Sequence, residues 1–140
     1  MRFEDYPIHD LIKQQLAYLG FKRPTDIQFK AIQPIMKGED VFAIAQTGTG
    51  KTAAFVIPIL NDLMKHKAHS KAPRCLVLAP TRELAHQITE VFREIGKKTD
   101  VRIASVMGGV EQENQIQQLR KGVDVIVATP GRVFDLRSQG

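Results

Sequence analysis

The sequence predicts an α/β fold in which a parallel sheet is flanked by helices. Short apolar runs alternate with helical patterns along the chain. These runs are apolar at every position rather than at every second one, as expected for parallel strands that are covered on both faces. The chain has 140 residues, of which 43% are hydrophobic and 25% charged, so it suits a single soluble domain with a core of its own.

The predicted elements follow one another in a simple order. Residues 8–19 and 26–37 show helical spacing of apolar residues, and Pro34 should break the second helix. Strands are predicted at 41–45, 75–79, 101–106 and 124–128. Helical patterns follow these strands at 51–66, 82–97, 111–121 and from Pro130 onward. Because ligands bind at the carboxyl ends of parallel strands, we expect function in the turns that follow the strands.

Composition narrows the classes of function. The net charge of +5 admits nucleic acids, phosphates or an anionic membrane surface as partners. A single cysteine, Cys75, cannot form an internal disulfide, and the four histidines have no cysteine partners at zinc-site spacing. The sequence has no long apolar run and no pattern of a signal peptide, so we expect a cytoplasmic protein that does not cross a membrane.

The turn after the first predicted strand carries the strongest motif. Residues 45–52 read A-Q-T-G-T-G-K-T, which ends in the G-K-[ST] half of the phosphate-binding loop pattern. Gly48 and Gly50 allow the backbone to point its N–H groups inward at an anion. Lys51 supplies a positive charge for the β- and γ-phosphates, and the Thr52 hydroxyl can ligate Mg²⁺. The generic pattern requires glycine where this chain has Ala45, which is a departure from it.

A loop further upstream suits the recognition of a base. Residues 20–28 read G-F-K-R-P-T-D-I-Q. The amide of Gln28 can pair with the exocyclic amine and the N7 of adenine together, whereas guanine presents an acceptor in place of that amine. Phe21 can stack on the face of the base. Taken alone, the same residues would also suit an ordinary polar loop.

The remaining turns suit a phosphate backbone. P-T-R-E-L-A at 80–85 places Thr81 to cap the next helix and Arg82 in its first turn. Gly108 and Gly109 follow the third predicted strand, and T-P-G-R at 129–132 follows the fourth. Each turn joins backbone donors or a glycine to a hydroxyl or a cation, and none carries an aromatic side chain for base stacking. A helix cap or a tight turn would explain any one of these turns taken singly. The recurrence of such turns at the ends of consecutive strands favours the binding of a polyanion.

These motifs, in this order and at this spacing, resemble the N-terminal half of the first RecA-like domain of the DEAD-box ATP-dependent RNA helicases. The resemblance covers essentially all 140 residues. Ala45 is ordinary in that family, so the departure from the generic phosphate-binding loop supports the resemblance. Phe3, which lies 17 residues before Gly20, resembles the isolated aromatic that the family carries upstream.

The resemblance implies a site for ATP and Mg²⁺ and a surface for the sugar-phosphate backbone of RNA, read without regard to base sequence. The implied nucleotide-binding residues are Phe21, Arg23, Thr25, Gln28, Gln46, Thr47, Gly48, Thr49, Gly50, Lys51, Thr52 and Ala53. Lys51 and Thr52 carry the implied catalytic role, and Thr52 is the implied Mg²⁺ ligand. The implied RNA contacts are Pro80, Thr81, Arg82, Gly108, Gly109, Thr129, Pro130, Gly131 and Arg132. The implied division is an adenine-recognition helix–loop–helix segment at 1–38 and a P-loop α/β core at 39–140.

Other family motifs do not occur in the sequence, namely D-E-A-D, S-A-T and the arginine fingers of the second RecA-like domain. We therefore expect an incomplete domain that ends before the D-E-A-D strand and is part of a longer helicase. It should bind ATP or ADP and RNA without turnover, and its open strand edges favour self-association. The alternatives are a stand-alone nucleotide-binding module, an unrelated P-loop enzyme such as a small-molecule kinase, and a DNA helicase of related fold.

Overall fold

The computed structural model describes residues 1–67, 70–108 and 112–140. The chain divides into two compact units. The first unit consists of Met1–Lys67 and Glu94–Asp100, and the second of Ala68–Arg93 and Val101–Gly140. No helix in the described ranges combines the length and the apolarity that a membrane span requires.

The first unit is built from helices. After a 3₁₀ turn at Phe3–Asp5 come α1 (Asp10–Tyr18), α2 (Asp26–Met36) and α3 (Lys51–Lys65), and α2 packs along α3. The side chains buried at its centre are Phe3, Tyr6, Ile12, Leu16, Ile32, Val56, Ile57 and Leu60. The break predicted at Pro34 is wrong, because α2 continues through it to Met36. A proline so close to the C-terminal end of a helix removes only one hydrogen bond, in the last turn, and the helix tolerates this loss.

The strand predicted at 41–45 is also wrong. This run lies in neither a helix nor a strand, and Phe42 and Ile44 are 92% and 83% exposed. A strand forms when a neighbour satisfies its backbone N–H and C=O groups, and no strand of the described residues pairs with this run. The apolar composition of this run therefore indicated a preference for the strand conformation. It could not indicate whether another described strand pairs with the run.

The second unit contains the sheet. Its strands are β1 (Cys75–Leu78), β2 (Ile103–Val106) and β3 (Val125–Ala128), all parallel and in the order β1-β3-β2. The associated helices are α4 (Arg82–Ile95), which begins in this unit, α5 (Gln112–Lys121) and α6 (Pro130–Ser138). The parallel α/β arrangement is confirmed, although the described residues form three strands rather than the predicted four.

Asp124 fixes the beginnings of all three strands. Its backbone C=O accepts the N–H groups of Arg74 and Cys75, while its own N–H donates to the C=O of Arg102. The buried carboxylate accepts from Nη2 of Arg74 at 3.0 Å and from the backbone N–H of Arg102 at 2.8 Å. Burial alone raises the pKa of the Asp124 carboxyl, but the hydrogen bonds from Arg102 and Arg74 outweigh it and hold that pKa at about 2. The carboxyl edge of the sheet, where function is expected, lies at the other end of these strands.

Candidate nucleotide site and nucleic-acid interface

Gln28 joins the two sequence motifs of the first unit. It lies in the first turn of α2 and is 4% exposed. Its Oε1 accepts the N–H of Thr25 at 2.9 Å, and the Thr25 hydroxyl accepts the N–H of Gln28 at 3.5 Å, which makes a capping box. Its Nε2 donates to the backbone C=O of Gly50 at 3.2 Å. The side chain predicted to read adenine thus also holds the loop predicted to bind phosphate.

The Gln28 amide keeps capacity for a ligand. A side-chain amide has two N–H donors and two lone pairs on its oxygen. Gly50 takes one donor and Thr25 takes one lone pair. One donor and one acceptor therefore remain for the edge of a base, so the structural role of Gln28 is compatible with the role predicted from the sequence.

The loop before α3 turns through two glycines of positive φ. Gly48 and Gly50 both have φ of +81°, the left-handed region that favours glycine. A Cβ on Gly50 would clash with Nε2 of Gln28, whereas a Cβ on Gly48 would meet nothing within 4 Å. The Thr49 hydroxyl closes the turn by donating to the C=O of Gln46 at 2.6 Å.

The start of α3 leaves its charge and its donors accessible. Gly50 is the N-cap, and no side-chain hydrogen bond caps this fully described helix start. Its first N–H groups are the kind that hold an anion. Lys51 is exposed and Thr52 half-buried, while Ala53 is buried beneath them. A polyphosphate with Mg²⁺ fits this arrangement, since it meets backbone donors, an ammonium group and a hydroxyl oxygen together.

Phe21 is supported by the upstream aromatic residue. Its ring centroid lies 5.9 Å from that of Phe3, which is buried and lies 6.0 Å from the ring of Tyr6. Phe21 itself is half-buried, and Arg23 and Thr25 are exposed beside it. Phe3 thus fixes the position of the ring that the sequence predicts to stack on a base.

In the second unit, hydrogen bonds connect the turns at the carboxyl ends of the strands. Nη1 of Arg82 donates to the C=O of Gly108 at 3.4 Å, and the N–H of Gly108 donates to Oγ1 of Thr129 at 3.4 Å. The N–H of Thr129 donates to the C=O of Val106 at 3.1 Å. The predicted RNA contacts from three separate turns are therefore brought together. Gly109 lies outside the described residues.

Two threonines predicted to suit helix caps behave differently. Oγ1 of Thr81 accepts the N–H of Leu84 at 3.1 Å and caps α4, as predicted. Thr129 stands at the N-cap of α6 without a side-chain cap there, because its hydroxyl accepts from Gly108 instead. Pro80, Thr81, Arg82, Pro130 and Gly131 are exposed along this edge, and Arg132 is half-buried. The edge therefore offers exposed groups beside the uncapped start of α6.

Sequence reasoning missed Gln115, which holds the turn after β2. Its Nε2 donates to the C=O of Met107 at 3.0 Å. Nothing in the sequence marks this residue, since α5 contains four glutamines with no local feature to separate them. Only the packing of α5 against β2 selects one of them.

Comparison with known proteins identifies the family. A family model described as DEAD/DEAH box helicase matches residues 25–139. The chain belongs to the DEAD/DEAH box helicase family. It is 48% identical over 137 residues to the putative DEAD-box ATP-dependent RNA helicase 29 of Arabidopsis thaliana, with 98% of this chain and 16% of that protein covered. It is 44% identical to the ATP-dependent rRNA helicase RRP3 of Kluyveromyces lactis, with 95% of this chain and 27% of that protein covered.

Solved structures confirm the fold of this DEAD/DEAH box chain. A hypothetical ATP-dependent RNA helicase from Sulfolobus tokodaii superposes with a TM-score of 0.85 at 41% identity, over 95% of this chain and 37% of that one. A DEAD box protein from Methanococcus jannaschii superposes with a TM-score of 0.90 at 34% identity, over all of this chain and 38% of that one. This chain therefore spans only a minor part of the length of each relative.

Proposed function

We propose that this chain is the nucleotide- and RNA-binding part of a DEAD-box ATP-dependent RNA helicase, an enzyme that couples ATP binding and hydrolysis to the separation of RNA strands. The observation that carries the proposal is the hydrogen bond from Gln28 to Gly50, because it joins the side chain predicted to read a base to the loop predicted to bind phosphate. The names of the relatives, which are ATP-dependent helicases of RNA, agree with it.

In the proposed nucleotide site each residue has one role. Phe21 stacks on adenine, and the remaining donor and acceptor of Gln28 pair with its edge. The loop N–H groups and Lys51 hold the phosphates, and the Thr52 hydroxyl ligates Mg²⁺. Binding Mg²⁺ through a hydroxyl and phosphate oxygens suits a hard cation that keeps most of its water ligands.

In the proposed RNA site the connected turns hold the sugar-phosphate backbone. Arg82 and Arg132 contribute positive charge, and the uncapped start of α6 contributes N–H donors. These groups recognise phosphates rather than base edges, so binding should not depend on RNA sequence.

We further propose that the 140 residues alone bind ATP or ADP without hydrolysing ATP. These 140 residues contain no D-E-A-D tetrad, the motif whose acidic side chains the resemblance assigns to Mg²⁺ and the attacking water. RNA-stimulated release of phosphate would instead identify this chain as an enzyme in its own right. The proposed location is the cytoplasm, where both ATP and RNA are present.

Nucleotide titrations test the first site. Lys51→Ala should weaken ADP binding at least about tenfold, since it removes a cation from the phosphates. Gln28→Ala should bring the affinities for ADP and GDP closer together. Lys65→Ala is the matched control, because Lys65 is exposed at the far end of α3, about 21 Å from Lys51 along the helix. Equal loss in the Lys51 and Lys65 variants would contradict the placement of the phosphates.

Labelled oligonucleotides test the second site. Single-stranded RNA should bind more weakly to Arg82→Ala and Arg132→Ala than to the unaltered chain. Arg93→Ala is the control, since Arg93 lies on α4 three turns beyond Arg82 and pairs with Glu90. If the unaltered chain binds single-stranded DNA of the same sequence more tightly than RNA, the DNA-helicase alternative is favoured.

We also propose that the chain associates with itself. The run 41–45 exposes Phe42 and Ile44, and the edge strand β1 exposes Leu76 and Leu78, which are 53% and 55% accessible. An unpaired apolar run and the open edge of a sheet both favour pairing between chains. Light scattering should show a mass that rises with concentration and that falls in Phe42→Asp; a stable monomer at all concentrations would contradict this.

A further inference from the structure

The helix α5 buries a glutamine where apolar residues would be expected. All ten of its residues are described, and Gln115, which is 5% exposed, is the buried one among them. Burying a side-chain amide is unfavourable unless its polar groups are paired. A helix that had only to pack against β2 would be better served by leucine or methionine at this position.

The geometry fixes which way the amide faces. Nε2 of Gln115 lies 3.0 Å from the C=O of Met107, and a carbonyl can only accept. The nitrogen must therefore face Met107. The oxygen, Oε1, is buried and has no hydrogen-bond partner among the described residues. Among the described residues, the amide makes one hydrogen bond, which is to the turn after β2.

That hydrogen bond controls the direction of a backbone donor. The C=O of Met107 and the N–H of Gly108 belong to one planar peptide group and point in opposite directions. Gln115 holds the oxygen end of this group, and Oγ1 of Thr129 accepts from its nitrogen end at 3.4 Å. The peptide is therefore clamped between α5 and the turn after β3. If the oxygen were released, the peptide could rotate and turn the Gly108 N–H away.

We propose that Gln115 is a positioning residue for RNA binding, which clamps the Met107–Gly108 peptide and so holds Gly108 in place beside Arg82 and Thr129. The inference rests on the proposed RNA site and deepens it. Arg82 donates to the next carbonyl along, that of Gly108, so a rotation of the clamped peptide would also move the cation.

The substitution Gln115→Met separates positioning from packing. Methionine has nearly the same shape and removes both the donor and the unpartnered oxygen. The melting temperature of the Gln115→Met variant should be unchanged or higher. Its affinity for a labelled ten-nucleotide oligouridylate should fall about three- to tenfold, which corresponds to the loss of one net hydrogen bond. Gln118→Met is the matched control, because Gln118 is an exposed glutamine on the same helix. Its RNA affinity should not change.

Further measurements separate a loss of RNA binding from a loss of the fold. ADP affinity should be the same in both methionine variants. If Gln115→Met does not fold, Gln115→Leu replaces it, since leucine is also apolar, cannot donate to Met107 and should weaken RNA binding similarly. In the unaltered chain, the NMR signal of the Gln115 side-chain amide should shift when the oligouridylate is added.

Three results would overturn the inference. If Arg82→Ala weakens RNA binding while Gln115→Met and Gln115→Leu do not, the inference is wrong and the proposed RNA site stands. If none of these substitutions affects RNA binding, both are wrong. An amide signal of Gln115 that is unmoved by saturating RNA would likewise show that the clamp is unconnected with binding.

Discussion

Residues 38–48 and 122–131 share one sequence plan and differ in structure. Each begins with a glycine of positive φ, continues with an aspartate and an apolar run, and ends in a turn containing threonine and glycine. In the second stretch, Val125–Ala128 forms β3, which is paired on both sides. In the first, the corresponding run is unpaired, and its Phe42 is 92% exposed. The comparison shows that an apolar run specifies a strand only when neighbours are present to pair with it.

The aspartates differ in the same way as the runs that they precede. Asp124 is 2% exposed and held by two arginines, whereas Asp40 is exposed. The segments that follow the two runs are held in different ways. The turn after β3 is positioned by the sheet, and the loop at 46–50 is positioned by Gln28 of α2. Order at the proposed nucleotide site therefore comes from a side chain rather than from strand pairing.

The largest expected effect comes from placing a charge in each run. Val127→Asp buries an unpaired carboxylate in β3, where Val127 is fully buried, and should cost roughly 4 kcal/mol or more of unfolding free energy. Ile44→Asp should change it by less than about 0.5 kcal/mol, because Ile44 is exposed. Hydrogen exchange of the β3 amides, together with urea unfolding of the whole chain, measures both. A large loss in Ile44→Asp would show that the first run is packed in solution.

A smaller effect is expected from the aspartates, and it depends on pH. The pKa of Asp124 is lowered in the folded chain to about 2, so its contribution is complete above the unfolded value near 4 and disappears as the pH falls toward 2. The shift corresponds to about 2 kcal/mol. Asp124→Asn should lose about that much at pH 7 and flatten the acid slope of stability.

Asp40→Asn is the control for this measurement, since Asp40 is exposed at the matching position. It should leave both the stability and its acid slope unchanged. Acid unfolding monitored between pH 5 and pH 2 compares the variants. The same slope in Asp124→Asn as in the unaltered chain would mean that another carboxyl is responsible.

Between the two loop glycines we expect the smallest and most local difference within a pair. Gly48→Ala and Gly50→Ala both place a Cβ at positive φ, which costs about 1 kcal/mol. Gly50→Ala also clashes with Gln28 and should cost roughly 1–2 kcal/mol more. Thermal unfolding of the single and double variants measures this difference. Because the clash is with the glutamine side chain, Gln28→Ala should remove the excess; an additive double variant would contradict the contact.

Local signals predicted much of the fold. The helix predicted over 26–37 forms as α2, and Thr81 caps α4 as predicted. These features depend on residues within one turn of each other. The helix at 8–19 forms as α1, with its ends displaced by one or two residues.

Features that depend on distant parts of the chain could not be predicted in this way. The run at 41–45 has strand composition, but pairing depends on other segments. The bond from Gln28 to Gly50 spans 22 residues, and Asp124 meets Arg74 across 50. The selection of Gln115 among four glutamines follows from the packing of α5. Each of these contacts joins residues whose proximity no local pattern records.

The central claim is that Gln28 and the loop at 46–52 form one adenine-nucleotide site even though the run before the loop is unpaired. Calorimetric titration of this chain with ADP and with GDP, in the presence of Mg²⁺, tests it most directly. The account predicts that ADP binds and that GDP binds at least about tenfold more weakly, since guanine cannot pair with the Gln28 amide in the same way. Equal affinities would contradict the role of Gln28 in reading the base. Absence of binding by either nucleotide would contradict the claim that the site is formed in this chain.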